Sequence, residues 1–481
     1  MSTLTLTWIA LPLFVGFSIY LFPKLDRYLT LGVALVSVGY ALQLLFVAKA
    51  PLTLQLLDSF GVTLIVDQLS GFFILTNALV TTAVILYCWH TNKTAFFYTQ
   101  TIILHGSVNA AFICADFISL YVSLEVISIA AFLLIAYSRT NRSIWVALRY
   151  MFVGNVAMLF YLVGAVLVYQ ANYSFAYEGL SNAPIEAVAL IVLGLLSKGG
   201  IFVSGLWLPL THSESETPVS ALLSGVVVKT GVFPLVRFAL MMEAIDPIVR
   251  LFGVGTALLG VGYAIFEKDT KRTLACSTIS QVGWILAAPE VGGFFALAHG
   301  LAKSTLFLIA GNLPSRNFKE LKEQPMNTGL WIALVMASLS ISGFPLFAGF
   351  GAKVLTLKNV QSWQWQWIVM NLGAVGTAMV YAKFILLPHG KEKPVRASFW
   401  TPILLLLSAL IAASGMYLEG YTLLNITKNL AIIAMGWLAY FLIFQRVVLK
   451  LPRVLEQLEH LIGVMVVMSL TLILLFKLVL V

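Results

Sequence analysis

Apolar residues dominate this chain, and they come in blocks of about 20, the length that an α-helix needs to cross a bilayer. Charged residues make up 10% of the 481 positions, whereas a soluble domain carries roughly a quarter. This composition excludes a soluble enzyme and a disordered chain. A transmembrane β-barrel would show short alternating segments, which are not seen. The sequence therefore predicts an all-α polytopic membrane protein.

We expect about 14–16 transmembrane helices, since some of the apolar blocks are short or interrupted. Sixteen candidate spans, numbered in chain order, are 3–22, 28–47, 67–88, 96–115, 117–137, 148–169, 187–209, 218–240, 247–266, 273–289, 292–311, 328–358, 366–388, 399–418, 424–445 and 459–480. The loops between them are too short to hold a soluble domain.

The loop charges predict the orientation. Loops after odd-numbered spans carry seventeen Lys and Arg residues, and loops after even-numbered spans carry four: Lys49, Arg250, Lys358 and Lys428. Because cytoplasmic loops are enriched in Lys and Arg, the odd loops are expected in the cytoplasm and both termini outside it. The net charge of +9 indicates contact with anionic lipid, and no nucleic-acid partner is expected.

Ionisable side chains at membrane depth are costly and mark ion paths or structural pairs. Arg237 is near a span end, which favours a structural role. Eight such residues occur inside or near the spans: Glu125, Arg149, Lys198, Lys229, Arg237, Lys303, Lys353 and Lys383.

The cations recur at one spacing. Three pairs are 154 or 155 positions apart, namely Arg149 with Lys303, Lys198 with Lys353, and Lys229 with Lys383. The offset equals five spans, an odd number, so the second unit must be inverted relative to the first. We therefore expect two inverted five-helix repeats, 96–240 (spans 4–8) and 247–388 (spans 9–13). N-terminal spans 1–3 occupy 1–90, and C-terminal spans occupy 397–481.

Each predicted repeat contains an interrupted helix. Span 7 has Gly199, Gly200 and Pro209, and span 12 has a Gly- and Pro-containing stretch just before Lys353. Such breaks free backbone groups, which membranes tolerate only where protein or water satisfies them. The matching positions of the two breaks predict an ion path near the midplane.

The buried charges suggest proton chemistry. A lysine in a dry site is poised to hold or release a proton as neighbouring charges change. Lys198 with Glu125 would form such a pair, and a permanent structural ion pair is the alternative. His299 precedes Lys303 by four residues on the same helical face, so it would extend a relay or fill the core. A permease that uses the lysines to bind an anionic solute is a third interpretation.

No cofactor and no metal are expected. The chain has no cysteine cluster, phosphate-binding loop or His-Glu metal motif. Cys88, Cys114 and Cys276 stand alone in apolar blocks and are expected to pack. Any redox or ATP chemistry is therefore expected to belong to a partner protein.

Five ordered motifs carry a family resemblance over about residues 60–390. They are DFISLYVSLEVIS (116–128), WLPLTHSESETPVSALLSGVVVKTG (207–231), EKDTKRTLACSTISQVGW (267–284), AHGLAKSTLFLIAG (298–311) and SGFPLFAGFGAKVL (342–355). Together they resemble the antiporter-like membrane subunits shared by respiratory complex I, photosynthetic complex-I-like assemblies and Mrp-type multisubunit Na⁺/H⁺ antiporters.

The resemblance implies proton movement through two half-channels joined by a hydrated polar axis. It implies that Glu125 is the essential span-5 glutamate and Lys198 its span-7 partner. Arg149 and Lys383 are weaker candidates. The remaining implied roles are the span-8 connecting lysine, Lys229; the span-11 relay, His299 and Lys303; and the terminal residue, Lys353.

The chain departs from the family pattern at several places. Leu124 stands where members often have Trp, Leu210 where they usually have an acid, and Phe295 where a second His is common. The relay is therefore expected to be thinner or wetter there. Two spans, 424–445 and 459–480, follow the usual fourteen.

The resemblance best suits the D-type subunit of an Mrp antiporter that exchanges H⁺ for Na⁺, since Lys353 replaces a glutamate found in some complex I subunits. The alternative is a proton-pumping subunit of a complex-I-like NAD(P)H or ferredoxin:quinone oxidoreductase. Both imply other integral membrane subunits as partners. We expect a bacterial plasma membrane, with a thylakoid membrane as the alternative location.

Overall fold

The computed structural model describes residues 2–48, 50–57, 61–390, 395–444, 449 and 451–480. Over these residues the chain is predominantly helical. The two termini, Met1 and Val481, lie outside the described residues, and so do five loop cations that entered the orientation prediction: Lys49, Lys391, Lys393, Arg446 and Lys450.

The helices α1 to α10 are Ser2–Leu21, Asp26–Phe46, Gln68–Cys88, Ala95–Ala111, Phe117–Ile135, Asn141–Asn172, Ile185–Lys198, Leu208–Glu214, Thr217–Leu222 and Lys229–Met241. The helices α11 to α20 are Asp246–Phe266, Thr270–Ala287, Gly292–Ala310, Phe318–Leu321, Thr328–Ser342, Ala348–Asn359, Gln364–Ile385, Ala397–Ser414, Leu423–Ala439 and Leu458–Leu480. Strands β1 (Leu52–Gln55) and β2 (Thr63–Val66) pair antiparallel, and β3 (Met326–Asn327) and β4 (His389–Gly390) pair parallel.

Every predicted span coincides with one helix or with consecutive helices separated by an irregularity. Thirteen helical segments of the described chain are long and apolar enough to cross a membrane. The other three predicted spans are α4, which has 17 residues, the more polar α12, and the broken pair α15–α16. The prediction of an all-α polytopic membrane protein is confirmed.

Aspartates mark the starts of three helices. Asp67, Asp116 and Asp269 directly precede α3, α5 and α12, and each carboxylate accepts a backbone N–H three residues later. Asp67 also pairs with Arg237, as the position of Arg237 near a span end suggests. Although burial acts to raise the pKa of Asp67, the Arg237 guanidinium outweighs it and holds that pKa below its usual value.

The centre of the molecule is formed by α9–α10 and α13. Their membrane-spanning windows are completely buried, whereas those of α19 and α20 are 22% buried. A helix that is apolar all round and also fully buried needs protein on every side. Any charge carried by α10 or α13 must therefore be satisfied inside the protein, and this is where Lys229, His299 and Lys303 lie.

Candidate functional site

Span 7 is broken directly after Lys198, the last residue of α7. Gly200 has a φ of +71° and Phe202 a φ of +53°, so the chain turns through left-handed conformations before α8 begins. The Lys198 ammonium donates to the Ser128 hydroxyl of α5. It also lies 5.7 Å from the centre of the Tyr150 ring of α6. The break thus presents a buried cation to α5 and α6 at the carboxyl end of a helix, where cations are favoured.

Glu125 lies on α5, almost one turn before Ser128. It is close enough to Lys198 for their charges to interact, but no ion pair within 4.0 Å joins the two in the described chain. One of its carboxylate oxygens is buried without a hydrogen-bond partner among the described residues. The side chain as a whole is half-buried. Glu125 and Lys198 therefore interact electrostatically without an ion pair, and the direct hydrogen-bond partner of Lys198 is Ser128.

Lys229 follows a π-helical turn, Leu223–Val227. Such a turn displaces carbonyl groups from the regular hydrogen-bond ladder. The Lys229 ammonium uses two of them, because it donates to the carbonyl oxygens of Gly225 (2.5 Å) and Ser224 (3.4 Å). The side chain is 0% exposed, so the π turn provides oxygen ligands for a cation that has no water-exposed surface.

The break of span 7 contacts α10 backbone to backbone. A Cβ added to Gly231 would lie 2.4 Å from the backbone nitrogen of Gly199, a distance that real side chains do not adopt. Gly199 follows Lys198, and Gly231 is two residues after Lys229. The absence of side chains here therefore brings the two lysine-bearing segments together.

Lys303 is held by α12 and α17. Its ammonium donates to the carbonyl oxygen of Leu274 (2.9 Å) and to the hydroxyl of Tyr381 (2.8 Å). The Tyr381 hydroxyl also shares a hydrogen bond with Ser277, 2.9 Å away. Lys303 interacts electrostatically with Lys229 across the core. Two positive groups in one dry interior repel each other, so the proton occupancy of one depends on the other.

His299 and Lys353 line the same small cavity. Both ring nitrogens of His299 and the Ser340 hydroxyl lack hydrogen-bond partners among the described residues. The cavity has a volume of about 10 Å³, close to the space that one water molecule requires. Phe295 forms part of its wall. The imidazole and the ammonium of Lys353 therefore face one small cavity with polar lining.

Lys353 lies beside the second break. Its ammonium donates to the carbonyl oxygen of Ser342, the last residue of α15 (3.2 Å). Gly343 has a φ of +87°, and a Cβ added to it would lie 2.9 Å from Cδ of Lys353. Leu346 has a φ of +94°. Both breaks therefore combine a left-handed glycine, a left-handed apolar residue and a lysine near the carboxyl end of the first half-helix.

The two weaker candidates lie away from this row. Lys383 donates to the carbonyl oxygens of Ala264, Ile265 and Glu267, which places it at the carboxyl end of α11. Arg149 donates to the backbone carbonyl of Glu456, in the segment before α20. These contacts are typical of structural cations.

Sequence reasoning missed His212. This histidine of α8 is 0% exposed, and its ring contacts those of Trp207 and Phe307. Both of its ring nitrogens lack hydrogen-bond partners among the described residues, and Lys303 acts on it electrostatically. The sequence does mark this residue. In the motif 207–231, His212 lies in a polar segment between two apolar stretches, and the other titratable residues of the motif are carboxylates and a lysine.

The fold defines a polytopic helical membrane subunit that carries several buried charges. Residues 114–380 match the family described as NADH:quinone oxidoreductase/Mrp antiporter, TM. Since this match covers more than half of the chain, the chain belongs to that family, as its five motifs predict. It is an integral membrane subunit of the antiporter type.

Two relatives with assigned roles are similar over most of their lengths. The chain is 29% identical to the N-type subunit of the NADH-quinone oxidoreductase of Desulforudis audaxviator, over 78% of this chain and 85% of the relative. It is 26% identical to the D-type subunit of a Na⁺/H⁺ antiporter of Alkalihalophilus pseudofirmus, over 73% of this chain and 80% of the relative. Both relatives are subunits of larger membrane assemblies.

The fold is also similar to that of a solved structure. A chain of the membrane-bound sulfane sulfur reductase, an archaeal respiratory membrane complex, superposes with a TM-score of 0.77 at 20% identity. The similarity covers 91% of this chain and 99% of that one. At this identity it supports the architecture alone.

Proposed function

We propose that this chain is the proton-translocating subunit of a multisubunit Na⁺/H⁺ antiporter. Protons move along the buried row of Glu125, Lys198, Lys229, His299, Lys303 and Lys353. The observation that carries the proposal is the chain of neighbour relations along this row. Glu125 interacts electrostatically with Lys198, and the close approach of Gly231 to Gly199 brings the segments that bear Lys198 and Lys229 together. His299 interacts electrostatically with Lys229 and Lys303, and it shares a cavity with Lys353.

The ligands of the lysines support a mobile proton. Lys229 and Lys303 are held by carbonyl and hydroxyl oxygens, and no carboxylate pairs with either in the described chain. A buried cation with only neutral partners is easily discharged when another charge approaches. Protonation of one lysine therefore favours proton release from its neighbour, and the charge moves along the row in steps.

We also propose that residues 96–240 and 247–388 form two inverted repeats. The similar construction of the two breaks supports this division. Each break provides one end of the row with freed carbonyl groups, as expected for two half-channels that meet at the centre. The spans in 1–90 and 397–481 then flank the repeats.

The remaining proposals concern the surroundings. Other integral membrane subunits complete the complex, and Glu125, with its half-buried carboxylate on α5, is accessible to one of them. The location is a bacterial plasma membrane with both termini outside the cytoplasm, because the cationic loops follow the odd-numbered spans.

A redox-driven pump is the second candidate, favoured by the similarity to an N-type subunit of an NADH-quinone oxidoreductase. In that case partner subunits carry the electrons, and this chain moves protons by the same row. The two candidates differ in what drives the proton, so a test needs the whole complex.

Inside-out vesicles that contain the whole complex provide that test. After respiration has built up a pH gradient, added NaCl should dissipate it in the wild type and in Lys358→Ala, an exposed control. Added NaCl should leave the pH gradient unchanged in vesicles that contain Lys198→Ala in a normally assembled complex. A wild type that ignores Na⁺ but takes up protons during quinone reduction would replace the first candidate with the second.

A further inference from the structure

The chain crosses from one half of the molecule to the other just before its last helix. Helix α19 packs against α17, whereas α20 packs against α7, α6 and the irregular turn Phe202–Trp207. Residues 451–457, here called the strap, precede α20. The last span therefore lies beside the break of span 7, whereas α19, which precedes it in the chain, lies beside α17.

The strap binds both halves through one residue. The Glu456 carboxylate accepts from Arg272 at the start of α12 (2.6 Å). Its backbone carbonyl accepts from Arg149 of α6. All three residues are at most 8% exposed. Glu456 thus connects an arginine of each proposed repeat through largely buried groups, and such pairs are sensitive to the loss of a partner.

Arg272 and Arg149 depend to different degrees on the negative charge of Glu456. Arg272 keeps a second carboxylate, Glu267, at 3.0 Å. For Arg149, Glu456 is the acid that compensates the charge, while Arg272 and Arg142 oppose it. One nitrogen of the Arg149 guanidinium is already without a hydrogen-bond partner among the described residues. Loss of the Glu456 charge would therefore affect α6 more than α12.

The affected part of α6 forms a wall of the Lys198 site. Tyr150 follows Arg149 directly, and its ring faces the Lys198 ammonium. One turn later, a Cβ added to Gly154 would lie 3.7 Å from that ammonium. A shift of α6 at Arg149 thus changes the surroundings of Lys198, while α20 contacts the other side of the same break.

We propose that the strap and α20 form a clamp across the cytoplasmic side, and that Glu456 is a positioning residue for Lys198. Glu456 holds α6 against the break of span 7 by neutralising Arg149. This gives a role to α20, the second of the two helices that follow the usual spans. The positioning role rests on the proposed function, whereas the clamp is a structural claim that stands without it.

The test compares Glu456→Gln with Glu459→Gln in the intact complex. Glu459 is exposed, three residues further on, and forms no ion pair in the described chain, so it is a matched control. Hydrogen exchange of the strap and of the first turns of α6 should be about tenfold faster in Glu456→Gln and unchanged in the control. Unchanged exchange in Glu456→Gln would overturn the clamp.

Proton flux in the same vesicles tests the positioning role. Flux should fall by about tenfold in Glu456→Gln at normal assembly and stay at the wild-type value in Glu459→Gln. Glu456→Asp keeps the carboxylate and should stay within about twofold of wild type, which a merely space-filling role does not predict. Faster exchange with undiminished flux would overturn the positioning role. A wild type without any flux would contradict the proposed function, and exchange would still decide the clamp.

Discussion

Gly300 allows α13 to approach the π turn that holds Lys229. A Cβ added at this position would lie 2.3 Å from Cγ2 of Thr76, 2.9 Å from the carbonyl oxygen of Gly225 and 3.4 Å from the Lys229 ammonium. Ordinary contact begins at 3.4 Å, so Gly300→Ala requires α13 to shift by about 0.5–1 Å. Overpacking of this kind costs about 1–3 kcal/mol. The Gly225 carbonyl also binds Lys229, so the same shift disturbs the lysine.

Gly300→Ala is therefore expected to lower both the apparent melting temperature of the complex and the proton flux, the latter by on the order of ten- to a hundredfold. Gly262→Ala is the matched control, because nothing lies within 4 Å of a Cβ added there. It should be neutral or slightly stabilising, since alanine favours helix by up to about 1 kcal/mol. Thr76→Ser removes the closest contact and should restore part of the flux. Wild-type flux and melting in Gly300→Ala would refute this account of the helix contact.

Three further changes test other parts of the structure. Tyr381→Phe removes one of the two groups that accept from Lys303, and such a charged hydrogen bond is worth about 1.5–3 kcal/mol, so flux should fall by at least about tenfold with assembly unchanged. Gly343→Ala places a side chain at a φ of +87°, which costs about 1–2 kcal/mol and should lower the melting temperature, whereas Gly415→Ala has open space and should not. Although burial acts to raise the pKa of Glu267, Arg272 holds that pKa below the usual 4.5. The stability that this carboxylate contributes is therefore present above pH 4.5 and is lost as the pH falls through the lowered pKa. In Glu267→Gln, the melting temperature should lack this part of its decrease in acid.

The spans and the breaks could be predicted because their signals are local. Twenty apolar residues must form a helix in lipid, and Gly or Pro interrupts it. The cations could also be identified, because any lysine in such a block is conspicuous. The sequence therefore places Lys198 and Lys353 at or beside interrupted helices, and it identifies Lys229 as a buried cation.

The partners of those cations could not be predicted. Ser128 and Tyr381 are separated from Lys198 and Lys303 by 70 and 78 positions, and only tertiary packing brings them together. The π turn at Leu223–Val227 is also invisible in sequence, because one extra residue does not disturb the pattern of a helix that is apolar on every face. The return of α20 to the first half could not be predicted either, because the charges of the strap look like ordinary loop charges.

The most direct test of the buried row is the proton flux of Lys229→Met in vesicles that hold the whole complex, with Lys358→Met as the exposed control. Lys229 is fully buried at the junction between the two proposed repeats, and methionine keeps its length without its charge. We predict that Lys229→Met abolishes Na⁺-driven proton flux while the complex stays assembled, and that Lys358→Met retains the wild-type rate. A wild-type rate in Lys229→Met would contradict a proton path along this row.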